Sequence, residues 1–368
     1  MGKIKKHVEE IKKLAKRSGR EITVEVSKSR HGPYLRVETN VFATEDLHRT
    51  LQLAESIHNY AKRNKIHAAL DIRIPGEDTE YMLHIPFNYK KGPYKLPKIR
   101  GKTLHHGSKA EQPGKIAIAL PIADGRHIFD DVGIIKIENN GEAKVLTDFD
   151  VLGIHHDGNE VELHIGEVLT DHYDRVDSKV RVWRDFINHL RERGIKLKLA
   201  APIMLLVADP LTVEENKGKI KETMVRSGFR NHGLITTTYT AYKQWKEILN
   251  AAARIPIEDH SELLRPAQRA LVSGDLNELA NWSMLFETIS ENRKHINKGI
   301  KAGKWPQIKI EILRFREHLE KAKREIKKKK MKRDPVTLAI HRVIWGIVQH
   351  LPPDAANGLK KKFGKRPL

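Results

Sequence analysis

Acidic residues interrupt two apolar stretches in the middle of the chain. Residues 143–170 read AKVLTDFDVLGIHHDGNEVELHIGEVLT. Apolar residues dominate 145–154 and 161–169, and the Asp-Gly pair between them predicts a β-hairpin. Each predicted strand carries two acids, which are Asp148 and Asp150 in the first and Glu162 and Glu167 in the second. The hairpin would therefore bring carboxylates of neighbouring strands together.

Glu167 is the acid in the least favourable position. Side chains alternate along a strand, so Glu167 shares a face with Val161, Leu163 and Ile165. A carboxylate among apolar groups is costly unless a cation or a hydrogen-bond donor satisfies it. Carboxylate oxygens are the ligands that hard cations prefer. Glu167 and Asp150 therefore form a candidate site for a divalent metal.

Two other interpretations of this hairpin remain open. Acids beside a turn are commonly solvent-facing residues with no chemistry, because exposed charge is the norm. Glu162 and His164 share the opposite strand face, so a transition metal could be bound by a second grouping. That grouping consists of His155, His156, Glu162 and His164.

The elements after the hairpin alternate between helix and strand. Helical periodicity covers residues 177–191, 214–227 and 240–249, and short apolar strands are predicted at 202–207 and 233–238. The order α, β, α, β, α after a hairpin is typical of an α/β domain.

This pattern resembles the PD-(D/E)XK nuclease superfamily, which has the restriction-endonuclease-like fold. The resemblance covers about residues 132–249, roughly a third of the chain. It rests on Asp148-Phe149-Asp150-Val151-Leu152, on Gly166-Glu167-Val168-Leu169, and on the later unit from Gly228-Phe229 to Thr238. In that family an aspartate begins one core strand and Glu-x-Lys ends the next. The resemblance implies phosphodiester hydrolysis with Mg²⁺ or Mn²⁺.

The chain departs from the family at the motif lysine, whose position is occupied by Leu169. Leucine neither donates a hydrogen bond nor carries charge. Either a basic residue of the next helix takes the role, with Lys179 or Arg181 as candidates, or the domain has lost its chemistry and only binds. The resemblance thus implies Asp150, Glu167 and Lys179 as catalytic residues, with a third metal-binding carboxylate from Glu138 or Glu142.

The whole sequence predicts an α+β multidomain protein. Residues 1–87 predict an N-terminal α+β domain in the order α, β, β, α, β, β, with Thr44 capping the second helix. Residues 88–115 read as a basic linker, 116–250 as the restriction-endonuclease-like α/β domain, and 251–368 as a basic helical region.

Charge indicates a polyanionic partner. The chain has 368 residues, a formal net charge of +21 and a pI near 9.8. Residues 301–368 hold 20 Lys or Arg against 6 Asp or Glu, so this stretch supplies most of the excess. Lysines that neutralise phosphates release counterions, which favours nucleic acid, and DNA is the expected form. A solvated lysine-rich surface is the alternative.

Two stretches are predicted to contact nucleic acid. In the linker, Lys90, Lys91 and Lys95 alternate with tyrosines that could stack on unpaired bases. In the C-terminal region, the contacts would come from Lys327, Lys328, Lys329, Lys330, Lys332 and Arg333.

Composition limits the remaining classes. The sequence has no cysteine, which excludes disulfides and thiolate metal sites. No stretch approaches the roughly 20 apolar residues of a membrane span, so a cytoplasmic location is expected. Heavy use of Lys, Arg and Glu hints at a thermophilic source. Three functions remain: a divergent nuclease, a non-catalytic DNA-binding or replication-associated protein of a thermophilic archaeon or its plasmid or virus, and an RNA-binding protein.

Overall fold

Strands from both halves of the sequence join in one ten-stranded mixed sheet. The computed structural model describes residues 2–29, 32–77, 79–87, 111–122, 127–138, 140–156, 159–170, 173–254 and 261–280, and five residues between 282 and 290. The chain divides into two units, residues 1–92 with 104–236 and residues 93–103 with 237–368. The strands are β1 (Thr23–Ser29), β2 (Gly32–Asn40), β3 (Ala68–Ile74), β4 (Glu80–Phe87), β5 (His127–Ile137), β6 (Ala143–His156), β7 (Val161–Leu169), β8 (Leu197–Leu199), β9 (Ile203–Val207) and β10 (Gly233–Thr237).

The strands are arranged in the sheet almost in the order of the sequence. Its order is β1-β2-β3-β4-β5-β6-β7-β9-β10, with β8 also paired to β7. Neighbouring strands from β3 to β7 are antiparallel, while β2 pairs with β3, and β7 with β8 and β9, in parallel. Each parallel step requires a crossover, and helices supply it.

Two helices belong to the N-terminal part of the sheet. They are α1 (Gly2–Arg17) and α2 (Thr44–Asn64), and both were predicted. Apolar residues of α1 and α2, such as Ile11, Leu51 and Ile57, share a core with those of β3, such as Leu70 and Ile72. The predicted cap was wrong. Ala43 holds the N-cap position of α2, and Thr44 Oγ1 instead accepts a hydrogen bond from Lys196 N–H at 3.0 Å.

Helix α3 (Gln112–Ile122) was not predicted. It occupies the end of the proposed linker and the start of the region expected to be strand. All but one of its residues are buried, so no polar face reveals a helical period. Its approach to the sheet is close. A Cβ on Gly114 would lie 2.6 Å from Val168 Cγ1 of β7, and one on Gly166 of β7 would collide with Ile118.

The helices after β7 match the expected order. A 3₁₀ turn (Tyr173–Arg175) leads into α4 (Val176–Glu192), and α5 (Pro210–Arg226) follows β9. The side chain of Asp209 caps α5 by accepting hydrogen bonds from two backbone N–H groups. In the second unit, α6 (Tyr239–Ala252) and α7 (Ser261–Ser273) contact each other.

The units differ from the predicted domains. Strand β4 pairs with β5, so the sheet runs from the predicted N-terminal domain (1–87) into the central domain (116–250). Residues 1–92 and 104–236 belong to one unit, and the ladder of β4 and β5 crosses the predicted domain boundary. Residues 88–110 and 291–368, including most of the predicted linker and basic region, lie outside the described residues. Within the described part, no helix is long and apolar enough to cross a membrane.

Candidate functional site

Asp150 and Glu167 lie at the same point of neighbouring strands. Val151 of β6 pairs with Gly166 of β7 in antiparallel register. Asp150, which precedes Val151, therefore lies opposite Glu167, which follows Gly166. Both are buried, with 4% and 3% of their surface exposed. Asp150 Oδ2 accepts a hydrogen bond of 2.8 Å from the backbone N–H of Val168. The hairpin therefore brings two buried carboxyl groups together.

Lys179 of α4 contacts these acids. Its Nζ forms an ion pair with Glu167 and lies 3.0 Å from Asp148 Oδ1. Burial alone would lower the pKa of Lys179, but the carboxylates of Glu167, Asp150 and Asp148 raise it above its usual range. Lys179 is therefore an ammonium group at neutral pH. The other candidate, Arg181, pairs with Asp177 one helical turn away.

A second lysine, Lys115 of α3, reaches the cluster from another element. Its side chain is fully buried, and Nζ pairs with Asp131 and lies 3.2 Å from Asp150 Oδ1. Burial alone would lower the pKa of Lys115, but Asp150 and Asp131 raise it above its usual range. Buried Asp130 acts in the same direction. Lys115 is therefore a fixed positive charge.

Asp131 supplies a further carboxylate from β5. Its neighbours Asp130 and Val132 pair with Val151 and Phe149, so Asp131 lies opposite Asp150. Its φ is +52°, in the left-handed region that non-glycine residues seldom adopt. Burial raises the pKa of Asp131 to about 6, against the opposing effect of Lys115.

Three carboxylates offer a set of ligands for a metal. Oxygen atoms of Asp131, Asp148 and Asp150 all lie within 4.8 Å of one another. Of the three, Asp148 is the most open to solvent, with 43% of its side chain exposed. An oxygen-only set of this kind suits a hard cation such as Mg²⁺ or Mn²⁺.

Glu167 gives a second, independent indication of a ligand. Its Oε2 is buried and, among the described residues, has no hydrogen-bond partner. Burial raises the pKa of Glu167 well above its usual range, and Asp150 raises it further, while Lys179 opposes both. A buried oxygen without a partner is costly. A cation or a proton would satisfy it.

Glu167 also lines an open cavity of about 340 Å³. The wall includes Asp148 and Lys179, together with Arg175 and Ser178 from the start of α4. This volume lies within the range of about 300–1,000 Å³ that is usual for small-molecule sites. Two acids of the cluster, Asp148 and Glu167, therefore border a space that a substrate could enter.

No protein-family model, curated protein or solved structure matches the chain. Its function is therefore inferred from the residues of the site.

The predicted third ligand lies elsewhere. Glu138 is in the turn between β5 and β6, where its backbone N–H donates a hydrogen bond to the carbonyl of Glu142, and both residues are exposed. Glu138 is seven positions beyond Asp131 along an extended chain that rises about 3.3 Å per residue. Asp131 and Asp148 are the carboxylates beside Asp150 instead.

The histidine grouping is not brought together as a metal site among the described residues. His155 pairs with Glu162 across the strands, and Glu162 Oε2 lies 3.3 Å from His164 Nε2. Lys198 also contacts Glu162, with Nζ 3.3 Å from Oε1. Within the described part of the chain, the one group of three potential metal ligands is the aspartate set.

Sequence reasoning missed Lys115 and Asp131. Two adjacent acids in the apolar strand HIFDDVGIIKI were a signal, because each face of that strand then carries a carboxylate. Lys115 directly precedes the apolar run IAIAL, but that run had no recognisable helical period. The predicted nucleic-acid contacts lie outside the described residues, both Lys90, Lys91 and Lys95 in the linker and the basic run 327–333.

Proposed function

We propose that the chain is a divergent metal-dependent nuclease that hydrolyses phosphodiester bonds. The observation that carries this proposal is Glu167: its Oε2 is buried without a partner among the described residues, and the residue lines a cavity together with Asp148 and Lys179. An ion-pair network that is only structural does not require a buried carboxylate oxygen without a hydrogen-bond partner.

The order of the elements supports the resemblance to the PD-(D/E)XK superfamily. Helix α3 precedes the antiparallel strands β5, β6 and β7, and α4 then crosses to β9, which is parallel to β7. Asp150 lies within β6, and Glu167 lies two residues before the end of β7. Leu169, at the position of the motif lysine, is buried in the apolar core, and Lys179 offers its ammonium to Glu167 from α4.

Asp150 and Glu167, with Asp131 and Asp148, would hold Mg²⁺ or Mn²⁺. When bound, such an ion lowers the pKa of a water ligand and stabilises the charge that develops on the phosphate. The acids outnumber the lysines: the four carboxylates and two ammonium groups leave two negative charges when all are ionised. One divalent cation would balance them.

Lys179 would act as a hydrogen-bond donor rather than as a base. Its raised pKa keeps the proton on Nζ, so it can orient an attacking water or a phosphate oxygen. Arg175 and Ser178 line the same cavity and would contact the other phosphate oxygens. The basic residues of 301–368 would supply contacts to the rest of the nucleic-acid backbone.

The test is cleavage of labelled nucleic acid by the purified full chain. Duplex DNA, single-stranded DNA and structured RNA are each incubated with Mg²⁺, Mn²⁺ or EDTA. Metal-dependent cutting that the Asp150→Ala/Glu167→Ala variant loses is the expected result. Equal cutting by that variant would place the activity at another site.

The rival function is nucleic-acid binding without cleavage. Leu169 favours it, because an apolar residue stands where the related nucleases carry their lysine. Each lysine of the cluster also pairs with two acids, as a purely structural network would require. Tight binding of any of the three nucleic acids, without cutting in either Mg²⁺ or Mn²⁺, would show that the chain binds nucleic acid without cleaving it.

A further inference from the structure

Lys115 is a charged group that the proposed hydrolysis does not use. Its side chain has no exposed surface, and its Nζ lies between Asp131 on β5 and Asp150 on β6. No part of Lys115 lines the cavity beside Glu167. Direct contact with a substrate is therefore not its role.

The fold holds this ammonium in place. Helix α3 packs on β7 with glycine at both close approaches, Gly114 near Val168 and Gly166 near Ile118. Val168 is also the residue whose N–H binds Asp150. Asp131 reaches Lys115 from a left-handed backbone conformation that non-glycine residues seldom adopt, so the surrounding structure must favour this contact.

Lys115 places a positive charge between two carboxylates. In two-metal hydrolytic sites, where the ions lie about 3.5–4 Å apart, a second metal ion supplies such a charge. We propose that Lys115 takes the place of a second metal ion, so that the acid cluster binds one divalent cation instead of two. This inference rests on the proposed metal-dependent function, and Lys115 is a positioning residue in it.

The number of bound ions tests the inference. Mn²⁺ bound by the full chain is counted by electron paramagnetic resonance, with background binding subtracted by using the Asp150→Ala/Glu167→Ala variant. We expect one ion in the wild type and two in Lys115→Ala, which vacates the position of Nζ beside Asp131 and Asp150. Lys115→Arg, which keeps the charge, and Lys144→Ala, which removes an exposed lysine of β6, should both bind one.

The outcomes separate this inference from the proposed function. Two ions in the wild type, or one ion in both the wild type and Lys115→Ala, would overturn the role of Lys115 and leave the metal-dependent function intact. No ion in the wild type would overturn both. If Lys115→Ala is unfolded in EDTA, recovery of its native circular dichroism with two bound Mn²⁺ supports the inference, and failure to recover overturns it.

Discussion

Lys179 contacts two acids of the candidate site although it is distant from them in the sequence. It belongs to α4, twelve residues beyond Glu167, yet its ammonium contacts that carboxylate and Asp148. The contact could be anticipated from sequence because a helix that follows a strand packs back on it, which brings its first turns near the strand end. Its role in catalysis stays a prediction.

Replacing Lys179 by Met tests that role. We expect single-turnover cleavage to fall about 100-fold, since a positioned proton donor or orienting group typically contributes about 10²–10⁴-fold. Mn²⁺ affinity should be kept or increased, because the variant removes a positive charge from the acids. Lys198→Met removes an exposed lysine that pairs with Glu162 outside the cluster, and it should cleave like the wild type.

The raised pKa of Asp131 predicts that the stability of the protein depends on pH. Its pKa is about 6 in the folded protein and near 3.8 when exposed, so the folded state holds a proton that the unfolded state has lost between these values. Its contribution to the free energy of unfolding is therefore present below about pH 4 and is lost as the pH rises through 6.

The comparison of wild type with Asp131→Asn isolates this effect. Between pH 4 and pH 6 the wild type should lose about 1–3 kcal/mol relative to the variant in metal-free buffer. Urea unfolding at each pH measures the difference. A constant difference across this range would mean that Asp131 has an ordinary pKa and is not confined by the cluster.

At the scale of elements, the structure confirms the predicted hairpin of β6 and β7 and the order of helices and strands after it, but it also contains a helix that was not predicted. Strand β7 has the predicted bounds because its apolar run and the turn before it are clear. Helix α3 was missed because a helix buried on nearly all sides has no amphipathic period. Its lysine was therefore placed in a linker, and half of the acid cluster's positive charge went unrecognised.

The close packing of α3 on β7 can be tested at Gly166. In Gly166→Ala, the new methyl group meets Ile118 and lies 3.1 Å from Val151 Cβ, so α3 must shift and carry Lys115 with it. We expect a loss of about 1–3 kcal/mol in the free energy of unfolding, as for other overpacked cores.

Two further variants check the cause. Gly218→Ala, in α5, meets no atom within 4 Å and should stabilise the protein by about 0.5–1 kcal/mol. If the collision is responsible, Gly166→Ala should cost less in a background that already carries Ile118→Ala. Equal costs in both backgrounds would place the strain elsewhere.

For the whole molecule, the distribution of charge could be read from the sequence, whereas the extent of the sheet could not. Sequence located the excess charge in residues 301–368, but it did not show that the N-terminal strands continue the central sheet. That continuity depends on pairing between β4 and β5, which lie on either side of a long intervening segment. Local patterns contain no information about such long-range partners, so the pairing of β4 with β5 was not predicted.

Deletion of residues 321–368 tests the role of the basic region. This segment holds 15 Lys or Arg against 3 Asp or Glu. We expect weaker binding of duplex DNA and a shallower dependence of affinity on salt, since each lost phosphate contact lowers the slope by about 0.9. Unchanged affinity and slope would mean that the binding surface lies in another part of the chain.

The most direct measurement compares single-turnover cleavage of labelled DNA by wild type and Glu167→Gln in Mn²⁺. Loss of groups that only support metal ligands already costs about 10–100-fold, so loss of a ligand should cost at least about 100-fold. Glu162→Gln, on the opposite face of the same strand, should cut at the wild-type rate, and EDTA should stop all cutting. Cutting that persists in EDTA, or is equal in wild type and Glu167→Gln, would contradict a metal-dependent nuclease centred on this acid.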